Sequence, residues 1–212
     1  QGILNGTYTD HLDFVLEGGS IESDGHGTLL TTSECLLSAN RNDRLNRADI
    51  EERLKSFLHV ERVLWLDHGY LSGDDTDSHI DILARFCDPE TITYLKSDNP
   101  KDPDYESLMN MEAQLQSFRT LDGKPYRLVP LPKPEQMFLD DYPLPASYAN
   151  FLITNRAVLV PGSGSELDEV ARTRLQEVFP DREVIVIDCR PLLSGHGGLH
   201  CVTMQFPEGW LE

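Results

Sequence analysis

Residues 148–188, YANFLITNRAVLVPGSGSELDEVARTRLQEVFPDREVIVID, decide the fold. Two apolar runs, Tyr148 to Thr154 and Ala157 to Val160, flank Asn155-Arg156 and read as a hairpin across a short polar turn. Glu166 to Phe179 carries Leu167, Val170, Leu175, Val178 and Phe179, an apolar face at helical spacing. Glu183 to Asp188 is then a strand, with Val184 to Ile187 aliphatic throughout. The order is strand, strand, helix, strand.

The same order recurs upstream. His11 to Glu17 is an apolar run ended by Gly18-Gly19 and expected to be a strand. Ile21 to Asp24 leads through the turn signal Gly25-His26-Gly27 into Thr28 to Thr32. Asp49 to Leu58 spaces Ile50, Leu54, Phe57 and Leu58 as a helix, and Arg62 to Leu66 closes as a strand. In the second unit Ser78 to Phe86 is the expected strand, Asp88-Pro89-Glu90 the turn and Thr91 to Leu95 its partner. A helix from Asp104 to Phe118 and a strand from Tyr126 to Leu131 complete it. Pro130, Pro132 and Pro134 mark a loop toward Asp140-Asp141-Tyr142-Pro143. Gly197 to Phe206 would open a fourth unit. A repeated unit that cannot bury its own apolar face is the signature of a propeller or solenoid. The expectation is one α/β domain over residues 1–212, with ββαβ units at about 11–66, 78–131 and 147–188 and a further one opened by 197–212.

Within that last stretch, strand alternation puts Val202, Met204 and Phe206 on one apolar face and Cys201, Thr203 and Gln205 on the other. A structural cysteine belongs on the apolar face; Cys201 lies on the polar one, just after glycines that admit close approach. It is the candidate nucleophile, set against the reading of a small packing residue. The other polar candidates fall at the same place in each unit: Glu17, His79 with Asp81, and Asn150. Opening strands turned toward a common axis would bring them together. His79 and Asp81, two apart, suit a general acid/base beside a cation-binding carboxylate. Glu17, after Phe14-Val15-Leu16, must be solvated, paired or used. Asn150 is read equally as a hairpin cap or a substrate contact.

Composition narrows the function classes. Thirty-six acids against 18 bases give a formal net charge of −18. That opposes nucleic acid as a partner and suits either a cationic ligand or, for the charge alone, plain solubility. No run reaches the length of a membrane span, and QGILNGTYTD has no signal-peptide pattern. Cys35, Cys87, Cys189 and Cys201 include no CxxC pair, which fits a reducing, cytoplasmic setting without a zinc ribbon. Asp74, Asp75 and Asp77 lack the glycine and terminal glutamate of an EF-hand loop. Two other classes compete. A metal-dependent hydrolase would use His79, Asp81, His196, His200 and Cys201, but alternation points His200 away from Cys201 and no ligand-spacing motif is present. A non-catalytic binder of cationic metabolites would need only the carboxylates.

Glu17-Gly18-Gly19-Ser20-Ile21, Trp65 with Gly69, Asp75-Thr76-Asp77-Ser78-His79-Ile80-Asp81, Ala146-Ser147-Tyr148-Ala149-Asn150-Phe151 and Gly197-Gly198-Leu199-His200-Cys201 together resemble the agmatine deiminase family, which includes the Porphyromonas-type peptidyl-arginine deiminases. The resemblance runs over essentially the whole chain. It implies a pentein, a five-bladed ββαβ propeller, and cysteine-dependent hydrolysis of a guanidinium with release of ammonia. Cys201 is implied as nucleophile and His79 as acid/base. Asp81 and Glu17 are implied as the guanidinium grip, with Asn150 and Gly198 beside the substrate. No metal or organic cofactor is implied. Agmatine giving N-carbamoylputrescine, a putrescine and polyamine precursor, is the first substrate expectation and peptidyl-arginine giving citrulline the second. Relatives carry a further stretch before Gln1 that supplies another guanidinium-binding aspartate, so a fragment, or completion by a second copy, is expected. His196 stands where many relatives have glycine.

Overall fold

The structure is a computed structural model and describes residues 10–206, 208 and 209. The strands are β1 (Ile21–Ser23), β2 (Thr28–Thr32), β3 (Arg62–Leu66), β4 (Ala84–Asp88), β5 (Thr91–Lys96), β6 (Arg127–Pro132), β7 (Met137–Leu139), β8 (Tyr142–Leu144), β9 (Leu152–Ile153), β10 (Ala157–Gly162) and β11 (Glu183–Asp188). The helices are α1 (Ser33–Leu36), α2 (Arg47–Leu58), α3 (Tyr105–Ser117), α4 (Leu167–Val178) and α5 (Arg190–Leu193). They form a mixed α/β fold with three three-stranded sheets, ordered β1-β2-β3, β4-β5-β6 and β9-β10-β11. In each sheet the first pair is antiparallel and the second parallel. A parallel pair needs a crossover, and α2, α3 and α4 supply one apiece.

Local chemistry explains the helices. Asn46 caps α2 by accepting from the Ala48 and Asp49 amides, while Asp49 reaches back to the Asn46 N–H as a capping box. Ile50 and Leu54 bury one turn apart against Leu29, Leu36, Val63 and Trp65. In α3, Leu108, Met111 and Leu115 do the same against β4 and β5, and in α4 Ala171, Leu175 and Val178 pack on Val158, Val160 and Val184.

The segments expected to open each unit are not strands over the lengths read from alternation. His11 to Glu17 is turn and loop, followed by a 3-10 turn at Gly18–Ser20. Ser78 to Phe86 becomes strand only at Ala84, after a 3-10 turn at Ile80–Ile82. Tyr148 to Thr154 is strand only at Leu152–Ile153. Gly197 to Phe206 contains no strand, and Val202 and Met204 are 60% and 78% exposed. The physical reason is common to all four. Their amides are satisfied three residues back, Ser20 N–H to Glu17 C=O, Leu83 to Ile80, Asn150 to Ser147 and Thr203 to His200, so no sheet partner is required. The proline-marked loop also contains more than expected. It carries a two-stranded hairpin, β7 with β8, turned by Asp140 and Asp141 at φ of 48° and 67°, the left-handed pair that such a tight turn requires.

One buried ion pair ties the sheets together. Arg85 Nε of β4 lies 2.7 Å from Glu22 Oε2 of β1, and its Nη1 donates to the Ala149 and Phe151 carbonyls ahead of β9 at 3.2 and 2.8 Å. Glu22 Oε1 also accepts the Phe86 N–H at 3.1 Å. Burial pushes the Glu22 carboxyl up despite the Arg85 charge. Among the described residues, no helix is long and apolar enough to cross a membrane.

Candidate active site

The site is assembled from the turns that precede the sheets. Asp81, inside the Ile80–Ile82 turn, is fully buried. Its Oδ2 takes the Asn150 Nδ2 donor at 3.0 Å and lies 2.8 Å from His200 Nδ1, with Cys201 Sγ 3.7 Å away. Its Oδ1 has no hydrogen-bond partner among the described residues. A buried carboxylate oxygen left unpaired is costly, and the cost is relieved by a cationic donor. Asn150, also buried, donates to Asp81 and accepts the His200 N–H on Oδ1 at 2.8 Å. Its Nδ2 and Oδ1 lie 3.4 and 3.6 Å from Cys201 Sγ.

Cys201 as a residue is exposed, yet its sulphur faces Asn150 and Asp81. Burial of the sulphur and then the Asp81 charge push the thiol up from its ordinary value, against the pull of the Gly198 amide and Asn150. The thiolate is therefore not preformed by the protein's own charges. A cation arriving at Asp81 would offset the second of these causes, the carboxylate charge.

Glu17 and His79 form a neighbouring pair. Arg41 grips Glu17 with two prongs, Nε to Oε2 at 2.5 Å and Nη2 to Oε1 at 3.1 Å. His79 Nε2 lies 3.5 Å from the same Oε2, within charge-pairing reach but without hydrogen-bond alignment, and has no hydrogen-bond partner among the described residues. Burial would raise the Glu17 carboxyl, but the Arg41 hydrogen bonds and charge, helped by His79, hold it below the ordinary value. Gly19 joins the two groups. A Cβ there would meet His79 Nδ1 at 2.6 Å and Asp81 Oδ2 at 2.8 Å, so only glycine lets both side chains close over this backbone. Gly198 has a similar role, since a Cβ there would overlap the Asn150 amide.

A cavity of about 610 Å³ opens beside the thiol, lined among others by Gly19, Glu22, Arg85, His200 and Cys201. Glu17, Cys35 and His79 offer ligand atoms within 4.8 Å of one another, the spacing a metal ion could use. The donor set fits a metal poorly. Burial pushes the Cys35 thiol up to about 12, whereas a metal needs the thiolate.

The structure brings Asp81, Asn150 and Cys201 into contact and sets Glu17 against His79. His200 reverses the expectation from alternation. Because residues 199–202 turn rather than extend, its ring reaches the same carboxylate as the Cys201 sulphur. Arg41 was not singled out in the sequence. Its only signal is position in Asn40-Arg41-Asn42, where Asn42 pins Val15 by bonding both its N–H and its C=O.

Fold and site define a mixed α/β protein with a thiol, an amide and a buried carboxylate gathered at the lead-in turns of three sheets. The sequence profile of the Porphyromonas-type peptidyl-arginine deiminases matches residues 3–207. The chain belongs to that family. A Porphyromonas gingivalis protein, solved as an arginine deiminase candidate, is 58% identical with a TM-score of 0.93, over 95% of this chain and 59% of that one. The C. jejuni agmatine deiminase, solved as a serine-for-cysteine variant with substrate bound, is 39% identical with a TM-score of 0.85, over 90% of this chain and 55% of that one. The agmatine deiminase of Stutzerimonas stutzeri is 38% identical over 92% of this chain. The chain spans between 57% and 60% of the length of such curated relatives.

Proposed function

We propose that the protein hydrolyses a guanidinium group through Cys201, with agmatine as substrate and ammonia and N-carbamoylputrescine as products. The observation that carries this is Asp81 Oδ1, a buried carboxylate oxygen without a partner among the described residues, on the same carboxylate that Cys201 approaches at 3.7 Å. A guanidinium is planar, always charged and rich in N–H donors, so it satisfies that oxygen and places its carbon near the sulphur.

Once the bound cation offsets the Asp81 charge, the Cys201 thiol loses its proton to solvent and the thiolate attacks the guanidinium carbon; a C–S bond forms and the C–N π pair moves onto nitrogen, giving a tetrahedral adduct. His79 gives a proton to the departing nitrogen, the C–N bond breaks and ammonia leaves. Water, deprotonated by His79, then attacks the amidino-thioether carbon; a C–O bond forms, the C–S bond breaks, and a ureido product and thiol remain. Asp81 and Glu17 grip the cation, and Asn150 orients Asp81 and the sulphur. No metal or organic cofactor takes part. On this reading the three sheets are blades of one pentein propeller in a single domain, a view supported by their repeated ββαβ order, and the enzyme works in the cytoplasm.

The family's description supports a second reading, in which the arginine side chain of a peptide is converted to citrulline. Ammonia release by the full-length protein from agmatine, free arginine and an arginine-terminated peptide decides between them. Turnover of agmatine alone is the expected result. Turnover of the peptide alone would replace it with the second reading, and turnover of none would overturn both.

A further inference from the structure

We propose that Arg41 is a positioning residue that ties Glu17 and the turn carrying His79 into one unit, so that the carboxylate and the acid/base group keep a common alignment. The inference rests on the proposed guanidinium hydrolysis. It adds a residue that makes none of the contacts assigned there to the reacting atoms.

Arg41 comes from the loop after α1, yet its guanidinium spans two other segments. Nε and Nη2 hold Glu17; Nη1 lies 2.7 Å from Asp77 Oδ2, and Nη2 also donates to the Thr76 carbonyl at 2.9 Å. The Arg41 side chain is only 9% exposed, while Glu17 and Asp77 are 40% and 41% exposed, so the guanidinium is held from below by partners that still meet solvent. Thr76 and Asp77 directly precede His79. Asp77 and Ser78 stand at φ of 59° and 61°, two successive left-handed residues, an arrangement that side-chain-bearing residues disfavour. The turn is kept in that shape by Asp74, which accepts from Thr76 and from the Ser78 N–H, by Thr76 Oγ1, which accepts the His79 N–H at 3.1 Å, and by Arg41 from the opposite side. Its result is His79 Nε2 at 3.5 Å from Glu17 Oε2.

The groups facing Glu17 are Arg41, His79, the Cys35 thiol at 3.9 Å and, through Arg41, Asp77. Of these, Arg41 contributes the hydrogen bonds that bring the Glu17 carboxyl below its ordinary value. Lysine at the same place would keep a charge but lose the planar fork that reaches Glu17, Asp77 and Thr76 together.

The test uses the full-length protein with Arg41→Gln and Arg41→Lys. It measures kcat, KM, the pH profile of kcat/KM, thermal melting and the Glu17 carboxyl titration by carbon NMR. Misplacement of a catalytic group by about 1 Å costs on the order of 100-fold in rate. Arg41→Gln is therefore expected to lower kcat about 100-fold, with the Glu17 titration and the acid limb moving to higher pH. Arg41→Lys is expected to recover part of both. A folded Arg41→Gln protein with unchanged kcat and an unmoved Glu17 titration would overturn the proposal. If Arg41→Gln does not fold, Arg41→Lys carries the test, and wild-type kcat and pH profile there would overturn it equally. Should the wild type turn over no guanidino compound, the hydrolysis reading fails, while the carbon titration still reports whether Arg41 controls Glu17.

Discussion

The Asn150 amide and the Asp81 carboxylate are buried partners 3.0 Å apart, contributed by segments 69 positions distant in the chain. The bond uses Oδ2 and leaves Oδ1 without a partner among the described residues, so Asp81 carries a demand for a cationic donor. Asp81→Asn keeps the shape and removes the charge. Charge-assisted hydrogen bonds contribute about 1.5–3 kcal/mol each, so guanidinium affinity by calorimetry should fall about 10- to 100-fold. The melting temperature should change little, because the asparagine carbonyl can still accept from Asn150 at the Oδ2 position. Unchanged affinity would show that the cation binds elsewhere.

Cys201 should carry the covalent intermediate. Quenching turnover early in the full-length enzyme should trap substrate mass on the peptide containing Cys201, and not on those with Cys35, Cys87 or Cys189. Cys201→Ala should abolish turnover while binding persists through the carboxylates. Cys201→Ser should be nearly inactive, since a hydroxyl ionises far less readily than a thiol. An adduct on another cysteine, or an active alanine variant, would refute the assignment.

Gly19→Ala tests the close packing of His79 and Asp81 over one backbone position. The added Cβ would have to stand 2.6 Å from His79 Nδ1 and 2.8 Å from Asp81 Oδ2, which forces at least one of them to shift. A loss on the order of 100-fold in kcat/KM is expected from such a displacement. The measurement is steady-state kinetics with a circular dichroism check, and wild-type kinetics from a folded variant would contradict the geometry.

The Cys201 thiol should respond to pH through Asp81. Burial first and the Asp81 charge second raise its titration, so the neutral thiol dominates at pH 7 and alkylation by iodoacetamide should accelerate only as pH climbs past the ordinary thiol range. Removing the charge in Asp81→Asn lowers the titration, so alkylation should be faster than wild type at pH 7–8. A slower or unchanged rate would mean that the carboxylate does not act on the sulphur.

Helices and the inner strands were legible because their apolar positions recur at 3.6 or at 2. Ile50 with Leu54, and Leu108 with Met111 and Leu115, are buried as their spacing implies. The segments carrying Glu17, His79, Asp81, Asn150 and Cys201 were legible as a set but not in shape. Each is a short turn closed by an i to i−3 hydrogen bond, and three or four residues hold too few apolar positions to show a period. This is why alternation sent His200 the wrong way and put Val202 and Met204 in a core. Arg41 escaped notice for a different reason: its partners lie 24 and 36 residues away, and loop arginines with and without such partners look alike in sequence.

The Glu22–Arg85 pair has a consequence for how the molecule comes apart. Stacked repeats that touch only their neighbours fray from the ends, because losing a terminal unit leaves the others intact. Here the Arg85 guanidinium is bonded to the first sheet and to the carbonyls ahead of the third at once. Detaching the first sheet takes away the carboxylate partner of Arg85, a cost of several kcal/mol, and detaching the third takes away two of its carbonyl acceptors. Slow-exchanging amides of β2, β5 and β10 should therefore open together, as one cooperative block, instead of in sequence from either terminus.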